Sequence, residues 1–193
     1  MSEEDTSLTH LLDGLDDVAQ DDDVSVSEVI EQFGDRAITP FMLILSILLI
    51  SPVSGIPGVP TVSGAILILL AGQALVGRQS LWLPDFLKRR KISSGKLRKG
   101  TKWMRKPCAF LDRHAHERMK FLTKGPFRVL ALVTIVGIAL SWPLLEILPM
   151  VTSTGAAMVG LLTFGLFVRD GLYVVLGYLA VGVALGVLAY FFL

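Results

Sequence analysis

The chain is poor in the side chains from which disulfide frameworks, metal centres and nucleophilic sites are built. Cys108 is the single cysteine in 193 residues, so no intrachain disulfide and no paired-cysteine metal or redox motif can form. There are three histidines. His114 and His116 lie two apart and so do not share a helix face; with Asp112 and Glu117 nearby they read as a solvated loop rather than a metal site. No phosphate-binding glycine loop, zinc-protease motif or nucleophile elbow is present. The expectation is therefore a protein with no cofactor, no metal and no catalytic residues. The start, Met1–Asp5, is acidic and lacks the basic residues that open a secretory leader, so the first apolar run is expected to be retained.

Charge is missing from long stretches. Residues 37–77 contain no Asp, Glu, Lys, Arg or His, residues 129–168 contain only Glu146, and residues 172–193 contain none. A soluble helix needs a wet face as well as a dry one, so runs this apolar predict membrane-embedded segments. The charges that exist are segregated. Residues 1–36 carry twelve acids against Arg36, and residues 78–128 carry sixteen of the eighteen Lys and Arg. The near-neutral total of +1 thus hides an acidic head and a basic middle.

The chain divides accordingly. Residues 1–36 predict an acidic, helical, cytoplasmic segment. Leu8, Leu11, Leu12 and Leu15 form one apolar stripe, and Ser25 to Glu28 has capping-box spacing for a second short helix. Residues 37–77 predict a hairpin of two helical arms. Its centre holds Pro52, Pro57 and Pro60 with Gly55 and Gly58, which cannot continue a helix. The arms, about 14 and 17 residues, are roughly 21 and 25 Å long against a hydrocarbon core of ~30 Å. They are either re-entrant or crossing, and the irregular tip needs shielding from lipid. Residues 78–128 predict a basic cytoplasmic loop with short helices. Trp82-Leu83-Pro84 followed by Lys88, Arg89, Arg90 and Lys91 suits a headgroup layer. Residues 129–168 predict a second broken hairpin, interrupted between Pro143 and Pro149, and residues 169–193 a polar turn and a spanning helix of roughly 33 Å. The fold class is thus all-α integral membrane. The basic loop orients it with that loop and the N-terminus cytoplasmic.

The two hairpins align at a shift of 91 residues, pairing Pro52 with Pro143, Thr61 with Thr152, Ser63 with Thr154, Gly64 with Gly155 and Arg78 with Arg169. The matches fall at breaks and arm ends, which predicts an internal duplication. Broken-helix repeats tend to place a polar pathway where the breaks meet.

Five residues make a candidate polar membrane site. Arg78 and Arg169 end corresponding arms, to bind an anionic headgroup or sugar phosphate or simply to anchor at the interface. Asp170 either caps the last helix or pairs with Arg78. Glu146 is a proton or cation site if it lies at membrane depth, and an ordinary loop carboxylate if it reaches water. Gln73 lies within an arm, where a hydrogen bond to a neighbouring helix is the simpler role. Anionic lipid headgroups are the expected partner of the basic run and nucleic acid is not. Gly177, Gly182 and Gly186 would admit another helix, including one from a second copy.

Three stretches carry a resemblance: Ile56-Pro57-Gly58-Val59-Pro60-Thr61-Val62-Ser63-Gly64; Gln73 to Gln79 with Trp82-Leu83-Pro84; and Arg169-Asp170-Gly171 entering the last helix. In this order they resemble the ExoD (exopolysaccharide synthesis) family of bacterial membrane proteins, over residues 8–190. Trp103 to Pro107 departs from the proline-rich run usual in that family. The resemblance implies a membrane location and a role in exopolysaccharide production. The leading expectation is a non-enzymatic accessory that binds an anionic lipid or lipid-linked precursor and works with the exopolysaccharide machinery. The alternative is a small transporter, similar in outline to the DedA-type proteins with their re-entrant segments.

Overall fold

The computed structural model describes residues 8–18, 23–25, 38–50, 57–78, 81–82, 84, 91–95, 98, 101–102, 105–106, 109, 112–113, 118–146 and 149–192. The chain forms two compact units, Met1–Ala37 with Gln79–Ala115, and Ile38–Arg78 with His116–Leu193. The acidic head and most of the basic middle, read from sequence as separate segments, therefore share one unit.

In that first unit, helix α1 (Leu8–Val18) buries Leu12 from its leucine stripe. Its acidic face meets the basic segment. Arg105 forms ion pairs with Asp13 at 2.8 Å and Asp16 at 2.6 Å, and Thr101 donates its hydroxyl proton to Asp16. Burial alone would raise the Asp16 pKa, but the bonds from Thr101 and Arg105 hold it below the ordinary carboxylate value. At the other end of α1, Asp112 accepts from the Thr9 N–H at 2.8 Å and the Thr9 hydroxyl at 2.7 Å. A carboxylate there satisfies an orphan amide and suits the helix dipole. One feature departs from the all-α expectation. Strands β1 (Asp23–Ser25) and β2 (Lys91–Ser93) form an antiparallel ribbon pairing Val24 with Ile92. Ser25 ends β1, and Lys91 lies in the ribbon. The rest of the expected second helix, and Lys88, Arg89 and Arg90, fall outside the described residues.

The second unit is helical. Its helices are α2 (Ile38–Ile50), α3 (Val59–Leu75), α4 (Gly125–Leu145), α5 (Pro149–Val168) and α6 (Gly171–Phe192), with a 3-10 turn over Lys120–Thr123 before α4. Three are long and apolar enough to cross a membrane: Gly125–Leu145, Val151–Val168 and Gly171–Tyr190. Leu179, Val183, Leu185 and Tyr190 on α6, and Leu140 and Leu144 on α4, are exposed. An exposed apolar surface of this extent fits contact with lipid rather than water.

The prolines do not all break helices. Pro57 lies in the turn before α3, but Pro60 is in the first turn of α3, where a missing N–H costs nothing. Pro149 likewise opens α5. Pro143 lies inside α4, which ends only two residues later. The interruption expected between Pro143 and Pro149 thus begins only after Leu145, and α5 starts at Pro149. Pro143 cannot donate to the carbonyl of Ala139 four residues earlier. That carbonyl faces Gly64 of α3, where an added Cβ would stand 3.0 Å from it. Pro52 lies outside the described residues.

Helices pair across the two hairpins as well as within them. Helix α3 packs most extensively on α4, and α2 on α5. The centre is Trp142, 1% exposed. A Cβ on Gly64 would meet its ring at 3.2 Å, and one on Gly155 would meet its Nε1 at 2.9 Å. Gly160 lets α5 rest on Ser46 and Ile50 of α2, and Gly177 lets α6 close on Leu162 of α5. Without a hydrophobic drive inside lipid, such close backbone approach is the main source of helix association.

Candidate functional site

The hairpin tips meet. Gly58 takes a left-handed conformation, φ 90°, and caps α3, whose first backbone bond runs from the Val62 N–H to the Gly58 carbonyl at 3.0 Å. Glu146, at the end of α4, accepts hydrogen bonds from the Gly58 N–H and the Thr61 hydroxyl. One hairpin's carboxylate thus satisfies the orphan donors at the other hairpin's break. The bond from Thr61, then that from Gly58, holds the Glu146 carboxyl below its ordinary pKa.

The opposite end is cationic. Helix α3 finishes in a left-handed turn at Gly77, φ 78°, with the Gly77 N–H donating to Ala74 and the Arg78 N–H to Gln73 at 3.0 Å. Arg78 is exposed. Gln73 is buried and donates to the Leu69 carbonyl at 3.3 Å, within its own helix. Helix α5 ends in the same manner, but the left-handed position is held by exposed Arg169, φ 57°, and the Asp170 N–H donates to Gly165 at 3.0 Å. Asp170 is fully buried and accepts from the Leu172 N–H at 3.0 Å, so it caps α6. The Gly171 N–H donates to the Arg118 carbonyl at 2.7 Å, which brings Arg118 beside Arg169 in the chain path.

Antiparallel register fixes what lies level with Arg78. Gly64 faces Ala139 and Trp142, and Gly58 faces Glu146, so extension along α3 and α4 sets Arg78 opposite the start of α4, near Lys124 and Arg128. Arg78, Arg118, Lys120, Lys124, Arg128 and Arg169 are all exposed at this end. At the tip end, Glu146 is the only charged group among the described residues. The five-residue site expected from sequence is therefore two sites. Arg78, Gln73, Arg169 and Asp170 lie at one end and Glu146 at the other, separated by the ~25 Å length of the 17-residue α3.

Three participants were not singled out as site residues from sequence: Thr61, Gly58 and Trp142. The pairing of Thr61 with Thr152 and of Gly64 with Gly155 was the available signal, because those matches fall where hairpins touch. His114 and His116 lie outside the described residues, and no group of three or more His, Cys, Asp or Glu side chains that could hold a metal occurs among the described residues.

A sequence profile described as "Exopolysaccharide synthesis, ExoD" matches residues 8–190. Protein ExoD of Rhizobium meliloti (strain 1021) is 32% identical over 179 residues, covering 89% of this chain and 72% of the relative. No solved structure matches significantly. The profile match over nearly the whole chain, together with that relative, places the protein in the ExoD family of exopolysaccharide synthesis.

Proposed function

We propose that this protein is a multi-pass inner-membrane accessory of exopolysaccharide synthesis. It acts without catalysis, by holding an anionic lipid or lipid-linked precursor at the cationic end of its helical bundle. The observation that carries this reading is the charge segregation of the second unit, with six exposed cations at one end and Glu146 at the other. Cations gather on the cytoplasmic side of membrane proteins, so the Arg78–Arg169 end faces the cytoplasm. From Arg128 on α4 to Glu146 at its C-cap is a step of eighteen residues, ~27 Å, nearly a hydrocarbon thickness. That length favours hairpins that cross over shallow re-entrant ones. The crosswise pairing of α3 with α4 and of α2 with α5, and the two matching glycines on Trp142, support a duplicated hairpin with both copies in one orientation.

A second reading, a small transporter, has one observation in its favour: Glu146 joins the two tips. Cells producing only Arg78→Gln/Arg169→Gln protein should lose exopolysaccharide while membrane permeability stays normal. Normal polysaccharide in that variant contradicts the accessory reading. Gradient-dependent flux in proteoliposomes, abolished by Glu146→Gln, establishes the transporter in its place.

A further inference from the structure

All described residues between 94 and 113 are helical, and their burial divides them into two faces. Thr101, Arg105 and Asp112 recur at spacings of four and seven and bond to α1. Arg98, Lys102, Lys106 and Arg113 are exposed at spacings of four, four and seven, with exposed Ala109 in phase between the last two. At 100° per residue these four cations fall within an arc of about 80°, centred about 80° from Thr101, Arg105 and Asp112. Helix α1 therefore fixes the rotation of this segment. The acids Asp13 and Asp16 engage Arg105, Arg98 lies near enough to Asp16 to help lower its pKa, and the exposed cations flank that contact.

We propose that the Arg98–Lys102–Lys106–Arg113 face docks on the anionic headgroup layer of the bilayer. The inference rests on the membrane insertion and orientation given under Proposed function. Two arguments select a lipid surface over a soluble polyanion. The chain leaves α3 at Arg78 and enters α4 at Gly125, both at the cationic end of the bundle, so the stripe is tethered near one membrane face at high effective concentration. The unit is also electrically polar. An anionic surface attracts the exposed cations and repels the acids of α1 that lie to one side of them, which favours orientations that turn the cations to the surface.

The test uses the full chain in nanodiscs, with Cys108→Ser and a fluorophore on Ala109→Cys. Lipids quenching at headgroup depth should quench this label in discs with ~30% anionic lipid, and salt of about 0.5 M should relieve the quenching. A label on Asp17→Cys, on the exposed side of α1, should remain unquenched in the same discs. Each cation changed to Gln should lower the bound-to-free ratio about fivefold, and the quadruple variant should abolish contact while thermal unfolding is unchanged. Equal quenching in zwitterionic discs, quenching retained in the quadruple variant, or none in anionic discs overturns the proposal. Protection of the Ala109 site by a soluble oligouronate or oligonucleotide, with no quenching by anionic discs, assigns the face to a soluble polyanion instead. Failure to insert into discs would refute the membrane reading itself and with it this one.

Discussion

Gly64 and Gly155 press on opposite parts of one indole, which makes their substitution a sharp test of the bundle's centre. Alanine at Gly155 would place Cβ 2.9 Å from Trp142 Nε1 and 3.3 Å from Ile138 Cγ2. Alanine at Gly64 would stand 3.0 Å from the Ala139 carbonyl and 3.2 Å from the Trp142 ring. In both, neighbours must yield by tenths of an ångström, and overpacking of this kind costs about 1–3 kcal/mol. Gly72 supplies the control, because a Cβ there meets nothing within 4 Å. Gly72→Ala should gain up to ~1 kcal/mol from helix propensity. The account predicts that Gly155→Ala and Gly64→Ala fall below Gly72→Ala by about 1–3 kcal/mol in denaturant unfolding of the purified protein in lipid. Trp142→Leu should then rescue Gly155→Ala more fully than Gly64→Ala. The obstacle at Gly155 is mostly Trp142, whereas the obstacle at Gly64 includes a backbone carbonyl that no side-chain change removes. Glycine variants behaving like Gly72→Ala, or equal rescue at both positions, would refute this packing.

Three further outcomes follow from the two ends. The Glu146 pKa is depressed in the folded state, so its contribution to stability is complete above the ordinary value of 4.5 and is lost as pH falls through the lowered one; Glu146→Gln should erase that acid-side slope in a pH series of unfolding midpoints. Asp170→Ala should cost about 0.5–2 kcal/mol by uncapping α6, while Asp170→Asn, an equally good cap, should cost little; equal losses would mean that the charge rather than the cap matters. Arg169→Gly should stabilise the fold by a few tenths to ~1 kcal/mol, because φ 57° suits glycine, yet weaken retention of anionic lipid measured by native mass spectrometry. Unchanged lipid retention would reduce Arg169 to a surface residue.

The arms of the first hairpin were legible because composition and chain punctuation agree there. A charge-free block interrupted by Pro57 and Gly58 yields helices at Ile38–Ile50 and Val59–Leu75, close to the expected lengths. Asp170 as a cap was legible for the same reason, since an acid before Gly171 and an apolar run fits a helix start. Pro143 was misleading. Propensity says that it breaks a helix, but it falls in the last turn of α4, and the Ala139 carbonyl it leaves without a donor faces Gly64 on another helix. The β1–β2 ribbon and the union of residues 1–37 with 79–115 depend on partners roughly 70 to 90 residues apart, such as Val24 with Ile92 and Asp16 with Arg105. Local periodicity carries no information about such pairings, although the opposed charges of the two segments hinted at them. The separation of Glu146 from the arginines was likewise hidden until the register of α3 against α4 was known.

The central claim is that both hairpin tips lie at the membrane face opposite the cationic end. Single cysteines in a Cys108→Ser background test it directly, one at exposed Pro57 beside the tip and one at exposed Val76 beside Arg78. In intact cells with a permeable outer membrane, an impermeant maleimide should label Pro57→Cys at once and Val76→Cys only after the inner membrane is opened. Labelling of both from one side, or a tip protected from both sides, would contradict crossing hairpins and leave Glu146 buried at membrane depth.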